Sequence, residues 1–498
     1  MLSTRALFAP TAVLSVALLA PTAPAAEALR QHPANPRCFL FRGRPLVLVG
    51  STEHYGAVLN PDFEWRRYLD TIGADGLDLV RIFSGAYFEK SGDFGIRDNT
   101  LAPAPGRALV PWARSATPGA RGGGNLWDLD RWDPAYFERL RRFVEEASRR
   151  SIVVEVALFS SNYAGAGWAL SPLHTDNNVN GLPVLDKRKV HTLDNGPLLA
   201  RQEALVRRMV AELLPFDNVY YEVQNEPYAD LPETADVTNP YLLAAELAKD
   251  WLFWKNRVDL ASRDSLAWQT RIAAVIAEED AKRGSRHLVG QDVGNFRYPL
   301  RNVDERVAIV NFHYAWPEAA TLNRDLGRVV GFNETGFAGS DDATYRRQAW
   351  EFLLAGGGLF CHLDYSFAVG LEDGTARNEA PGGGSPALRK QLRVLKDFLN
   401  GLDLAALAPD PLVVRAAPGA FTQALSAPAR QYAIYVRGDG HTRLTLELPA
   451  GRYREEWVDT KDGRLVKTEA WDHSGGRRSA GSPPYVADVA LRLRVEAR

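Results

Sequence analysis

Cysteine is nearly absent: the chain of 498 residues has two, Cys38 and Cys361. That excludes a disulfide framework and any cysteine-rich metal site. The two could pair in an oxidising compartment, but both lie in apolar runs, the usual setting of a buried free thiol. An excess of charge of one sign is missing as well. The 59 Lys and Arg face 61 Asp and Glu for a net charge of −2, which leaves no basic footprint for nucleic acid. Long hydrophobic runs are also lacking. Thr11 to Ala20 is too short to span a bilayer, and no other stretch approaches ~18 uncharged apolar residues, so no membrane partner is expected. Three catalytic signatures are missing: a Gly-x-Ser-x-Gly elbow, a His-Glu-x-x-His pair, and a Gly-rich phosphate loop after the first strand. With His54, His174, His191 and His313 scattered along the chain, neither a metal nor a cofactor is expected.

The N-terminus has the pattern of an export signal. Arg5 supplies positive charge, Thr11 to Ala20 the apolar segment, and Ala23-Pro24-Ala25 small residues for cleavage. Residues 1–25 are therefore expected to be removed, giving a secreted or periplasmic protein. The remaining length exceeds what one hydrophobic core supports, so two domains are expected.

From residue 37 to about 400 short apolar strands alternate with helical patterns. Cys38 to Phe41, Arg42-Gly43-Arg44 and Pro45 to Val49 read as a hairpin leading into the first core strand. A helix is expected at Pro61–Gly73 behind Asn60, then a strand at Leu77–Phe83 and a long irregular segment from Ser84 to Asn125. Asp133-Pro134 opens a helix to Arg150 with Tyr136, Phe137, Leu140, Phe143, Val144 and Ala147 at helical spacing. Strands follow at Ile152–Phe159, Val219–Asn225, Leu288–Asp292, Val307–His313, Val329–Asn333 and Gly358–Asp364. Helices are expected between several of them, at about Gly196–Leu214, Tyr241–Asn256 and Ser265–Arg283. Eight strands alternating with helices point to an α/β fold, a (β/α)8 TIM barrel over residues 26–407. An open doubly wound sheet is the alternative, disfavoured by the missing phosphate loop. Beyond Leu407 period-2 runs alternate with hairpin turns, as in a small β-sandwich over residues 408–498 that packs against the barrel.

Two strands end in an Asn-Glu pair: Val219 to Asn225 runs into Glu226-Pro227, and Val329 to Asn333 into Glu334-Thr335-Gly336. In a barrel both glutamates sit at the catalytic end, and two such carboxylates suit acid/base and nucleophilic work on a glycosidic bond. One must hold a proton while the other stays ionised, so their surroundings must separate their pKa values. Arg81, at the second strand, could keep the nucleophile charged; Tyr314, after His313, could hydrogen-bond it; Asn225 could bind a sugar hydroxyl.

These motifs resemble the glycoside hydrolase clan A barrels, in particular the cellulase-like family 5 group, over roughly residues 37–400. The resemblance implies a retaining β-glycoside hydrolase working by double displacement, with Glu226 as acid/base, Glu334 as nucleophile and carboxyls about 5–5.5 Å apart. It also implies that Arg81, Asn225, His313 and Tyr314 line the subsite around the cleaved bond, and that the substrate is a β-linked oligo- or polysaccharide. The C-terminal module is similar to the β-sandwich that follows several clan A barrels. Two departures bear on specificity. The usual platform Trp near the eighth strand is replaced by Phe360-Cys361-His362-Leu363-Asp364-Tyr365, leaving Tyr365 beside Asp364, or Trp316, to meet the sugar. Glu53-His54 at the first strand is an uncommon pair that joins the substrate-binding candidates. A non-catalytic carbohydrate-binding barrel would keep aromatic clefts but has no use for both glutamates. A transglycosylase would use the same residues, and oligomeric state stays open.

Overall fold

The computed structural model describes residues 28–496, other than 97, 164, 231, 236–257, 283 and 378–380. The export signal expected at 1–25 and the helix expected at Tyr241–Asn256 lie outside the described residues. Eight parallel strands form the centre: β1 (Leu48–Thr52), β2 (Leu79–Phe83), β3 (Val153–Ser160), β4 (Val219–Asn225), β5 (Leu288–Asn295), β6 (Val307–His313), β7 (Val329–Glu334) and β8 (Leu359–Leu363). β8 pairs with β1, and the pairing of Tyr220, Tyr221 and Glu222 on β4 with Leu288, Val289 and Gly290 on β5 completes the circle. A closed barrel leaves no open switch point of the doubly wound kind.

The first strand begins three residues later than expected. Arg42 (φ 50°) and Gly43 (φ 77°) form a two-residue turn that folds Arg44–Leu46 back on Phe41, Leu40 and Phe39, so Pro45 belongs to the hairpin. Phe39, Phe41 and Leu46 of this hairpin plug the lower mouth of the barrel against Leu48, Leu79, Val153, Tyr220, Ile309, Val329 and Leu359. Two residues further along the strands the period-2 rule brings the next inward layer, and it is polar: Arg81, Glu155, Glu222 and Asn311, all fully buried. Gly331 falls in this layer because a Cβ there would lie 2.2 Å from the Asn311 side-chain oxygen. One layer higher come Asp292, His313 and Asn333. The sequence thus builds an apolar floor, a charged middle and a reactive top.

Around the strands lie α1 (Trp65–Ala74), α2 (Pro134–Arg149), α3 (Leu198–Leu213), α4 (Arg263–Ala281), α5 (Pro317–Leu322), α6 (Asp342–Leu354) and α7 (Pro386–Asn400). In α2 the cap and the buried stripe are those expected: Asp133 accepts from the Ala135 amide at 2.9 Å, and the six apolar residues face inward. α1 starts four residues later than expected. The Arg139 guanidinium takes the carbonyls of Ala57, Asn60 and Phe63 at 2.8–2.9 Å and holds that stretch as a turn. No helix joins β5 to β6. The segment expected to be irregular up to Asn125 contains an antiparallel strand, Trp112–Pro118, paired with Asn125–Trp132. Its partner lies across a Gly-rich turn and its sequence has no clean alternation, so strand periodicity does not reveal it.

After the barrel come a six-stranded and a three-stranded antiparallel sheet, packed around Ile434, Leu446, Trp457 and Leu491 as a sandwich-like unit. It is docked on α6 and α7. Trp350 stacks on Tyr435 (5.6 Å, 15°), and buried Arg346 bonds Asp488 at 3.1 Å. Cys38 and Cys361 are free and buried.

Candidate active site

At the upper ends of the strands a pocket of about 410 Å3 has Glu226, Glu334, Asn225 and Tyr314 in its wall. Six of the thirteen non-glycine residues with positive φ among the described residues line it: Tyr55, Phe94, Tyr163, Glu226, Tyr314 and Phe337. Each such conformation costs about 1–3 kcal/mol and persists only where the surroundings enforce it. Glu226 (φ 47°, ψ 52°) turns out of β4 in this way, and its amide is held by Asp292 Oδ2 at 2.9 Å.

Glu334, the last residue of β7, is buried between donors. Its Oε2 accepts from Tyr55 OH at 2.7 Å and Arg81 Nη1 at 3.0 Å, and its Oε1 accepts from Tyr314 OH at 3.2 Å. Burial pushes this carboxyl up, but the charge and hydrogen bond of His313, followed by Arg81 and Tyr55, outweigh it and hold the pKa at about 2. Glu226 meets a different set: its Oε1 accepts from Tyr228 OH at 2.9 Å and from His313 Nδ1 at 3.0 Å.

His313 stands between the two glutamates, its Nδ1 also 3.4 Å from Glu334 Oε1 and its Nε2 3.3 Å from Asp292 Oδ2. The Nε2 contact is close but angled away from a hydrogen bond. Burial lowers the His313 pKa, yet the charges of Asp292 and Glu334 raise it well above the ordinary value, which favours the protonated ring. One ligand-type atom from each of Glu226, His313 and Glu334 lies within 4.8 Å of the others, as do those of Glu222, Asp292 and His313. A metal in either set would need a neutral His313 ring.

Arg81 anchors the layer beneath. Its Nε reaches Glu155 Oε1 at 3.2 Å, and its Nη2 reaches Glu222 and, at 2.8 Å, Asn225 Oδ1. Asn333 Nδ2 bonds Glu155 at 2.8 Å and Glu222 at 2.6 Å, and Asn311 Nδ2 bonds Glu222 at 2.9 Å. Burial followed by the Glu222 charge lifts Glu155 to about 7.

Of the residues singled out in the sequence, Glu226, Glu334, Arg81, Asn225, His313, Tyr314 and His54 come together here. The others have different work. Glu53 accepts the amides of Gly56 (2.9 Å) and Ala57 (3.0 Å) and the Thr100 hydroxyl, which ties the β1–α1 turn together; burial lifts it to about 7. Asp364 is spent on Arg389 Nη1 (2.8 Å), Ser51 Oγ (2.8 Å) and Ser366. Trp316 lies flat on Phe296 at 4.9 Å, outside the pocket wall, and Tyr365 packs edge-on behind His54 at 6.0 Å. Neither is part of a stacking platform in the pocket wall. Sequence reasoning overlooked Tyr55, Tyr228, Asp292 and Glu89. Tyr55 stands next to His54, Tyr228 two residues from Glu226, and Asp292 ends an expected strand, so a search of each strand tip would have found them. Glu89 lies in an irregular connection and had no signal.

No protein-family model and no curated protein matches this chain. Solved structures do. A putative glycoside hydrolase from Bacteroides vulgatus ATCC 8482 superposes with a TM-score of 0.63 at 15% identity, over 95% of this chain and 83% of that one. A glycoside hydrolase family 5 protein from the same organism gives 0.60 at 12%, over 94% and 93%. A further glycoside hydrolase gives 0.58 at 12%, over 95% and 98%. At these identities the likeness is one of fold: the barrel with its β-rich appendage is the architecture of these glycoside hydrolases, which fits the clan A resemblance.

Proposed function

We propose that this protein is a retaining β-glycoside hydrolase acting on a β-linked oligo- or polysaccharide, with Glu334 as nucleophile and Glu226 as acid/base. The observation that carries the reading is the approach of the Glu226 and Glu334 carboxylates, with an oxygen of each within 4.8 Å. Retaining enzymes hold the pair about 5–5.5 Å apart, whereas inverting ones leave about 6.5–9.5 Å for a water. Glu334, ionised by Arg81, Tyr55 and His313, attacks the anomeric carbon while the glycosidic C–O bond breaks and Glu226 gives its proton to the departing oxygen. Glu226 then takes a proton from water, the water oxygen attacks the same carbon, and the bond to Glu334 breaks. His313 donates to Glu226 and lies close to Glu334, so it keeps the spacing of the pair through both steps. The leader-like N-terminus supports action outside the cytoplasm.

A panel of β-linked oligosaccharides and aryl β-glycosides, with Glu334→Ala alongside, tests this. Cleavage lost in the variant is the expected outcome. Binding without cleavage by the wild type would replace the proposal with a carbohydrate-binding function.

A further inference from the structure

Resting on the glycosidase reading, a third carboxyl in the pocket wall calls for a role, because double displacement uses two. Glu89 lies in the connection from β2 to α2 and is 5% exposed. Its Oε1 accepts from Tyr87 OH at 3.1 Å, its Oε2 from Asn99 Nδ2, and its amide donates to the Leu101 carbonyl at 2.9 Å. Tyr87, Asn99 and Leu101 are thus tied to this one residue. His54 Nε2 stands 3.7 Å from Glu89 Oε1, and both residues border the same pocket as the glutamate pair. A carboxyl withdrawn from water is costly to the fold, and Glu89, unlike the likewise buried Glu53, borders the pocket that holds the glutamate pair.

We infer that Glu89, with His54 beside it, is the specificity-determining residue of the subsite for the sugar being cleaved, and that it reads a hydroxyl of an uncharged ring. Burial raises Glu89 to about 8 and lowers His54 to about 4. At neutral pH both are therefore mostly uncharged, and together they offer a donor and acceptors. A sugar hydroxyl, itself donor and acceptor, is the complement of such a pair. Phe94 and Tyr163, edge-on at 5.0 Å, border the same pocket and supply its apolar side.

The test is a double-mutant cycle between protein and substrate. The aryl β-glycoside that the wild type cleaves best is compared with its monodeoxy analogues on the wild type, Glu89→Ala, Glu89→Asp and Glu89→Gln. For one analogue the wild type should lose about tenfold or more in kcat/KM. Glu89→Ala should be equally slow on the parent and on that analogue, so that the penalty disappears. Glu89→Asp, which withdraws the carboxyl by one methylene, should do the same and replaces the Ala variant if that fails to fold. Glu89→Gln keeps a donor and an acceptor in place and should retain most of the penalty. Deoxy penalties unchanged in both Glu89→Ala and Glu89→Asp would overturn the inference while leaving the glycosidase standing. A wild type that cleaves no glycoside would overturn that reading and the inference with it.

Discussion

Replacing Glu334 by Gln should cost stability as well as turnover, and the cost should depend on pH in a defined way. The folded chain holds this carboxyl at about 2, against 4.5 for an unperturbed glutamate. Lowering the carboxyl from 4.5 to about 2 corresponds to about 3 kcal/mol. Because the folded pKa is the lower one, this contribution is present above about pH 4.5 and is lost as pH falls towards 2. Glutamine cannot ionise, so the gap between wild type and Glu334→Gln should be about 3 kcal/mol at pH 7 and should close through that window. Much of this energy is the attraction between Glu334 and the His313 ring, so it is counted once for the pair. Urea unfolding at a series of pH values, with equal slopes for the two proteins, measures the gap directly. A gap that is absent at pH 7, or that stays flat down to pH 3, would refute the electrostatic account of the site. Glu334 partners the buried Arg81 as well as His313, so its replacement reaches the fold as well as the chemistry.

Glu226→Ala should still form the glycosyl-enzyme from substrates with good leaving groups, and azide should release it as a β-glycosyl azide; an α product, seen by NMR, would rule out retention. Truncation after Leu407 removes Tyr435 from Trp350 and Asp488 from Arg346. The loss leaves Arg346 without its carboxylate partner and exposes the Trp350 face to water, so the shortened protein should melt lower or aggregate. A truncated chain with an unchanged melting temperature would show that the docking contributes nothing to stability.

Much of the fold is legible because a parallel barrel leaves a strong local record. Val219–Asn225 and Val307–His313 are runs rich in apolar and β-branched residues whose bounds in the structure are those expected from sequence. Asp133-Pro134 announces α2 by cap chemistry that acts within three residues. The misses share a cause. The Trp112–Pro118 strand is defined by a partner across a glycine turn, and the late start of α1 by Arg139, more than seventy residues away. The carboxylate pair was readable from Asn-Glu at two strand tips. The sugar-facing candidates were not equally readable, because a polar residue at a strand tip can face the pocket or the structure behind it. Glu53 and Asp364 turned to turn amides and to Arg389, whereas Tyr55 and Glu89 took the pocket.

By itself the sequence determined the eight-strand alternation and the two glutamates at their strand tips. Only the tertiary structure decided the state of Glu334. The about-2 pKa of Glu334 arises where Tyr55 from the end of β1, Arg81 from β2 and His313 from β6 converge within a few ångströms. Charge interactions depend on distance and burial, and neither is a property of neighbours in the chain.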